Sequence, residues 1–371
     1  MKVLVLSCGT GGGHNSAARA IVEELKERNI EADFKEFLEI VNKKVSKVVN
    51  NLYIKSTSGK GTIFKKVYRL GELYDRTHFK SPVYKFNSLA KQRLYKFIKK
   101  HNYDYVATTH LFAAEALTAI KKEHDDIHFI EICTDYVCIP FWKETNPDYI
   151  IIPNKDLSIQ FEKKGFDRTK IKPIGIPVSK EFSIEIKKEN CYKELGLDEN
   201  KEYALIMTGS MGFGNILEIV DSLCKYTDQT NIVICGNNKK LQKALKEKYT
   251  LDKVIPVGFT NQISKYMKIS ELILTKPGGL TTTEAGTINI PIIHTFPIPG
   301  CENYNASFFE ERGMSKNCAT IDEICKETKN LIKNMDLRNE MIENQKKYID
   351  KQACSKICDL IIEETKRTRS V

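Results

Sequence analysis

The feature that most restricts this chain is its opening. The apolar run Val3 to Leu6 passes through "CGTGGGH" into "NSAARAIVEELKERN", whose apolar residues recur at helical spacing. A strand, a glycine turn and a helix in that order form the first half of a parallel crossover unit. The pattern recurs in "ADFKEFL", "YDYVATT", "IHFIEIC" and "YIIIPN", short apolar runs bounded by turns and mostly followed by helical stretches. These predict a parallel sheet covered by helices. After "IGIPVSKEFSIEIKKEN" the series restarts with "YALIMTG", "NIVICGN", "KVIPVGF", "LILTKPG", "PIIHTF" and "NCATI", which predicts a second α/β domain. The expected division is residues 1–177, residues 178–345, and a terminal helix over 346–371 that packs back toward the first domain. Two doubly wound domains place ligands at the carboxyl ends of their strands, in the cleft between them, so chemistry is sought in strand-to-helix loops.

The 371 residues, 41% of them hydrophobic, suffice for two cores. No stretch approaches the roughly 18 consecutive apolar residues of a membrane span, and the N-terminus starts a strand without a signal peptide's regions, so a cytoplasmic location is expected. Eleven cysteines, an odd number without the paired spacing of zinc sites, read as reduced thiols. The net charge of +10 is unevenly distributed: residues 41–100 hold sixteen Lys and Arg against Glu72 and Asp75, a net +14 that leaves −4 for the rest. Such asymmetry points to a polyanionic partner, either nucleic acid or an anionic membrane surface.

Three loops carry the candidate chemistry. In "GTGGGHNSAA", Gly12 and Gly13 allow close backbone approach, and the helix that follows aims free N–H groups at an anionic or oxygen-rich ligand. The stretch lacks the third glycine of a dinucleotide fingerprint, which argues against nicotinamide. His14 is the first side chain facing the cleft, and an imidazole suits proton abstraction from a hydroxyl; the same position would also serve as a helix cap. In "LTKPGGLTTTEA", Gly278 and Gly279 turn the chain into a helix start where Leu280, Thr281, Thr282 and Thr283 would surround a diphosphate. Glu284 can accept both hydroxyls of a ribose, or simply favour the helix dipole. In "PIPGCENYNASFF", turn residues bring Glu302, Asn303 and Asn305 together on a short loop suited to sugar hydroxyls, with Gly300 and Cys301 leading into it as further candidate site residues. Gly209, Ser210 and Gly212 of "MTGSMGFGN" could line the same cleft.

Taken in this order, "GGGHNSAA", "CTDY" with Trp142, "GSMG", "TKPGGLTTTEA" and "PGCENYN" make the chain resemble GT-B glycosyltransferases of the monogalactosyldiacylglycerol synthase and processive diacylglycerol glucosyltransferase group. The resemblance covers nearly the whole chain and implies a GT-B fold, two Rossmann-like domains facing a central cleft. It implies that Glu284 holds ribose, that residues 279–283 hold the diphosphate beside Lys276, that Phe259 lies against uracil, and that Glu302 and Asn305 contact the donor sugar. It further implies an inverting displacement in which His14, or Asp135, removes the acceptor's proton, with His110, Tyr136 and Trp142 on the acceptor side. The family's glutamine is here Cys301 and one of its histidines is Ile139, whose work His110 could take over. No cofactor and no catalytic metal are expected, since no clustered Asp-x-Asp ends a strand.

The basic segment interleaves cations with Tyr, Phe, Leu and Ile, which suits an interfacial membrane contact through residues 41–100 at the inner face of the cell membrane. No nucleic-acid module accompanies it, so no nucleic acid is expected. The resulting expectation is a membrane-associated transferase moving a hexose from UDP-glucose or UDP-galactose to diacylglycerol or a glycosyl-diacylglycerol. The competing expectations are a UDP-GlcNAc transferase acting on a polyprenyl-diphosphate intermediate, a UDP-GlcNAc 2-epimerase, and a non-catalytic basic binding protein.

Overall fold

The computed structural model describes residues 1–9, 12–41, 71, 74, 80–207 and 216–369. The chain divides into two units, Met1–Lys180 with Asp350–Val371, and Glu181–Ile349.

The first unit is a six-stranded sheet in the order β2-β1-β3-β4-β5-β6, every pair parallel. Its strands are β1 (Lys2–Ser7), β2 (Glu31–Glu36), β3 (Tyr105–Thr108), β4 (Phe129–Ile132), β5 (Tyr149–Ile151) and β6 (Ile171–Lys172). The two-residue alternation of β1 feeds both faces. Leu4 and Leu6 join Val106, Phe129, Leu94, Ile98 and Leu117 on one side. Val3 and Val5 join Ile130 and Ile132, the helix Gly12–Glu27 through Ala18, Ile21 and Leu25, and the terminal helix Ala353–Arg369 through Ile357 and Ile361 on the other. That helix is also tied by charge. Arg28 donates to Asp359 at 2.5 Å and to Ser355 Oγ at 2.6 Å, and Arg369 donates to both oxygens of Asp104. Gly175, at φ +124°, has Ala353 Cβ only 2.8 Å from where its own Cβ would stand, so a glycine is required where the terminal helix seats.

The second unit is a parallel sheet in the order β12-β11-β10-β7-β8-β9. Its strands are β7 (Tyr203–Met207), β8 (Thr230–Gly236), β9 (Val254–Gly258), β10 (Leu272–Thr275), β11 (Ile292–Thr295) and β12 (Lys316–Cys318). Ala204, Ile206, Val233, Leu272, Leu274 and Ile293 form the sheet side of a core closed by helices. In each unit the strand order reverses once, between β1 and β3 and between β7 and β10. Ligands of doubly wound sheets bind at the carboxyl ends of the strands flanking that reversal.

None of the eleven cysteines forms a disulfide. Among the described residues no helix is long and apolar enough to cross a membrane.

Two buried carboxylates, Glu115 and Glu131, make the stability of the first unit depend on pH. Glu115 and Glu131 are fully buried and Glu144 nearly so. Glu115 accepts from Asn87 Nδ2 at 2.5 Å, Glu131 accepts from the Thr145 hydroxyl at 2.6 Å, and Glu144 accepts from the Ser81 backbone N–H at 2.5 Å. Burial, with the charge of Glu144 alongside, pushes the Glu115 carboxyl up to about 8. Burial raises Glu131 well above its ordinary value. A group whose folded value is raised binds its proton in the folded state while the unfolded chain has lost it. Stability therefore falls as pH rises from the ordinary glutamate range of about 4.5 to about 8. Glu115→Gln is expected to flatten this fall by up to about 1.4 kcal/mol per pH unit and to raise the denaturation midpoint at pH above 8. Denaturant titrations of both proteins across that range check it; an unchanged slope would show that Glu115 does not hold the proton.

Candidate active site

The reversal point of the first unit brings together three segments distant in sequence. The loop after β1 leads into the helix Gly12–Glu27, with Gly12 and Gly13 already in its first turn and His14 next. Nothing lies within 4 Å of where a Gly12 side chain would begin, so the glycine leaves open space rather than relieving a clash. The end of β3 supplies Thr109 and His110, and the turn after β4 supplies Thr134 and Asp135. His14 does not cap its helix: its Nδ1 lies 3.0 Å from the Thr109 carbonyl and 2.8 Å from the Thr134 hydroxyl. The Thr109 hydroxyl donates to the His14 carbonyl at 3.0 Å. Packing around the ring lowers the His14 pKa, opposed by the charge of Asp135 and by the Thr109 hydrogen bond. The imidazole is therefore neutral at neutral pH, as a base must be.

His110 stands edge-on to His14, ring centroids 4.8 Å apart. Its Nδ1 accepts the Phe112 N–H at 3.2 Å and caps the helix Leu111–Lys121, while burial and the neighbouring His14 hold it far below the ordinary imidazole value. Tyr136 and Trp142 are buried, each 3% exposed, and Asp135 is half-buried.

In the second unit the loop after β10 opens the helix Gly279–Ile288. Gly278 caps this helix with no side chain, and the first turn holds no acidic residue. The unpaired N–H groups of that turn therefore present an electropositive end. Lys276 reaches Glu302 at 2.5 Å, and Glu302 also accepts the Ile298 N–H at 2.8 Å. Asn305 is fully buried and donates to the Pro277 carbonyl at 3.0 Å. These two residues brace the Lys276–Gly278 loop from the helix Cys301–Glu311, whose cap Gly300 has φ 127°, a backbone only glycine adopts readily. Of the three threonines, Thr282 faces His294 at 3.2 Å and Thr283 donates to the Gly279 carbonyl at 2.6 Å, both buried. Thr281 alone keeps solvent access, with Leu280 buried beside it. Glu284 is 9% exposed, and burial with the charge of Glu181 pushes its carboxyl up to about 8. Phe259, directly after β9, is 79% exposed. Cys301 is half-buried. Gly209, Ser210 and Gly212 lie outside the described residues, as does most of 41–79.

Two residues of the first constellation had no assigned role in the sequence: Thr109 and Thr134. Both lie next to residues that did, His110 and Asp135. Only the fold puts them on the His14 ring, 95 and 120 positions away. Among the described residues no group of three or more His, Cys, Asp or Glu could hold a metal ion.

Two parallel six-stranded sheets, each with a glycine-led helix start at its reversal point, are the architecture of the GT-B fold. Residues 14–178 match the family described as monogalactosyldiacylglycerol (MGDG) synthase and residues 195–348 match the glycosyl transferases group 1, which agrees with the resemblance read from the sequence. A Bacillus pumilus protein named processive diacylglycerol beta-glucosyltransferase is 28% identical over 98% of this chain and 95% of its own. The protein of that name from Bacillus subtilis is 28% identical over 93% and 90%. Among solved structures, Acinetobacter baumannii MurG superposes with a TM-score of 0.63 at 16% identity, covering 98% of this chain and 99% of its own. The UDP-GlcNAc 2-epimerase from Neisseria meningitidis does so at 0.61 and 15%, covering 98% and 100%. Transferase and epimerase thus share the fold; the family matches favour the transferase, and the epimerase and cell-wall alternatives gain no support from them.

Proposed function

We propose that the chain transfers a hexose from a UDP-sugar to diacylglycerol or a glycosyl-diacylglycerol at an anionic membrane surface, with UDP-glucose as donor. The observation that carries the reading is the uncapped, acid-free start of the helix Gly279–Ile288 beside Lys276, an arrangement suited to a diphosphate. Lys276 commits one donor to Glu302, and an ammonium has three. Glu284 takes the ribose, and the exposed Phe259 ring offers a face to uracil. The choice of glucose follows the Bacillus relatives, which are named as glucosyltransferases.

In the proposed step the acceptor oxygen attacks the anomeric carbon as the bond to the UDP oxygen breaks, inverting the centre. His14 takes the hydroxyl proton, and the helix start with Lys276 receives the charge of the leaving diphosphate. No metal is invoked.

Membrane contact is assigned to the described end of the basic segment. Phe86 is 54% and Leu89 81% exposed, and Lys85 on the same short helix and Arg93, Lys96, Lys99 and Lys100 on the helix Lys91–Lys100 that follows are exposed too. Exposed apolar side chains followed by exposed cations suit anionic lipid, at on the order of 1 kcal/mol per engaged cation. The test supplies UDP-glucose, UDP-galactose and UDP-GlcNAc separately, with diacylglycerol in vesicles containing or lacking phosphatidylglycerol. Glucosyl-diacylglycerol formed faster on the anionic vesicles is expected. Transfer from another donor alone overturns the sugar assignment, and no lipid product from any donor overturns the reading.

A further inference from the structure

The ring of His14 meets two oxygens through one nitrogen. Nδ1 lies 3.0 Å from the Thr109 carbonyl and 2.8 Å from the Thr134 hydroxyl. A carbonyl oxygen only accepts, so a ring nitrogen facing it at that distance is stable as N–H and repelled as a bare lone pair. The hydroxyl can accept from the same N–H and turn its own proton elsewhere. A neutral imidazole carries one N–H; once it is fixed on Nδ1, the lone pair is left on Nε2.

We propose that Thr134 is a positioning residue of the transfer reaction: with the Thr109 carbonyl it holds the His14 proton on Nδ1, so that Nε2 is the nitrogen that takes the proton of the acceptor alcohol. The inference rests on the reading of His14 as the base and goes beyond it by assigning the tautomer and the group that selects it.

Geometry supports the assignment from both sides of the ring. The backbone of His14 is itself clasped, because the Thr109 hydroxyl donates to the His14 carbonyl at 3.0 Å. Main chain and ring are thereby registered on the same residue at the end of β3. A half-turn of the ring about its Cβ–Cγ bond would put a C–H where Nδ1 stands and lose both oxygens. Thr134 arrives from an independent element, the turn after β4, and is 5% exposed, so its hydroxyl is held by packing rather than by solvent. The other titratable groups facing the ring do not substitute for it. Asp135 contributes charge that raises the His14 pKa against burial. His110 presents its ring edge at 4.8 Å, but its Nδ1 is occupied by the Phe112 N–H. The two neutral oxygens on Nδ1 are enough to select the tautomer, and this suits a base that must be neutral before it acts.

The test combines a spectroscopic and a kinetic readout on the full chain. Histidine ring 15N NMR resolves this, since the chain has seven histidines and the His14 signals are assigned by their loss in His14→Ala. Above the His14 pKa, a pyrrole-type Nδ1 and a pyridine-type Nε2 are expected. In Thr134→Val, kcat is expected to fall about tenfold, the scale of one lost hydrogen bond. KM for the UDP-sugar should be unchanged, and the acid limb of the kcat profile should move to lower pH because the imidazolium loses an acceptor. Thr134→Ser should restore both. A proton found on Nε2 in the wild-type protein overturns the assignment even if the valine variant fails to fold. So does a folded valine variant, judged by an unchanged circular dichroism spectrum and thermal midpoint, with wild-type kcat and pH profile. Normal turnover of His14→Ala would instead defeat the base reading itself, which keeps the two failures distinguishable.

Discussion

His14→Ala is expected to lose turnover by about a thousandfold while binding UDP as tightly as the wild-type protein. The magnitude is that of a positioned general base, on the order of 10²–10⁴. Its cause is local: an alkyl alcohol does not ionise near neutral pH, so its proton must leave during attack. Packing around the His14 ring lowers its pKa below the ordinary imidazole value, with Asp135 opposing. The base is thus already unprotonated at neutral pH, and the wild-type rate should decline only on the acid side of about 6.5. In the alanine variant that acid limb should disappear along with most of the rate. UDP affinity is expected to hold because the groups assigned to UDP belong to the other unit. Initial rates on diacylglycerol vesicles, with calorimetric UDP titration of the same preparation, check both halves. Turnover at the wild-type level would remove His14 from the chemistry.

How far the sequence anticipates these loci depends on whether a signal is local. The β1 loop and the loop after β10 are legible because strand, glycine and helix are contiguous, and eleven of the twelve strands coincide with apolar runs. β6 is missed since a two-residue edge strand, Ile171–Lys172, has no periodicity to read. The roles of Thr109 and Thr134 depend on contacts across β1, β3 and β4, which local pattern does not encode. The three threonines mislead in another way. A helix with one apolar stripe shows which residues face out, but Gly279–Ile288 is buried almost all round. Its sequence carries no phase, so only the structure shows Thr282 and Thr283 turned inward. Glu302 and Asn305 are polar residues on a loop-like string, yet they start a helix and brace the Lys276–Gly278 loop. Glu115 and Glu131 stand out only in the structure, because burial of a carboxylate leaves no mark on the sequence.

Glu284→Gln is expected to weaken UDP binding about ten- to a hundredfold, the scale of losing hydrogen bonds to a charged acceptor. The free protein keeps this carboxyl up to about 8, through burial first and the charge of Glu181 second, so at neutral pH it is mostly protonated. Two ribose hydroxyls donating to it favour the ionised form. The complex therefore has a lower carboxyl pKa than the free protein, and UDP binding expels a proton. The sign follows directly: affinity should rise as pH increases toward about 8 and level off above it. Glutamine offers one acceptor oxygen and no titration, so the variant should bind more weakly and lack that rise. UDP itself also titrates through its terminal phosphate, and both proteins share that contribution; the difference between their profiles isolates Glu284. Titrations from about pH 6 to about 9 decide it. Equal affinities, or parallel profiles, would mean that the carboxyl does not meet the ribose and that its burial serves the helix Gly279–Ile288 alone.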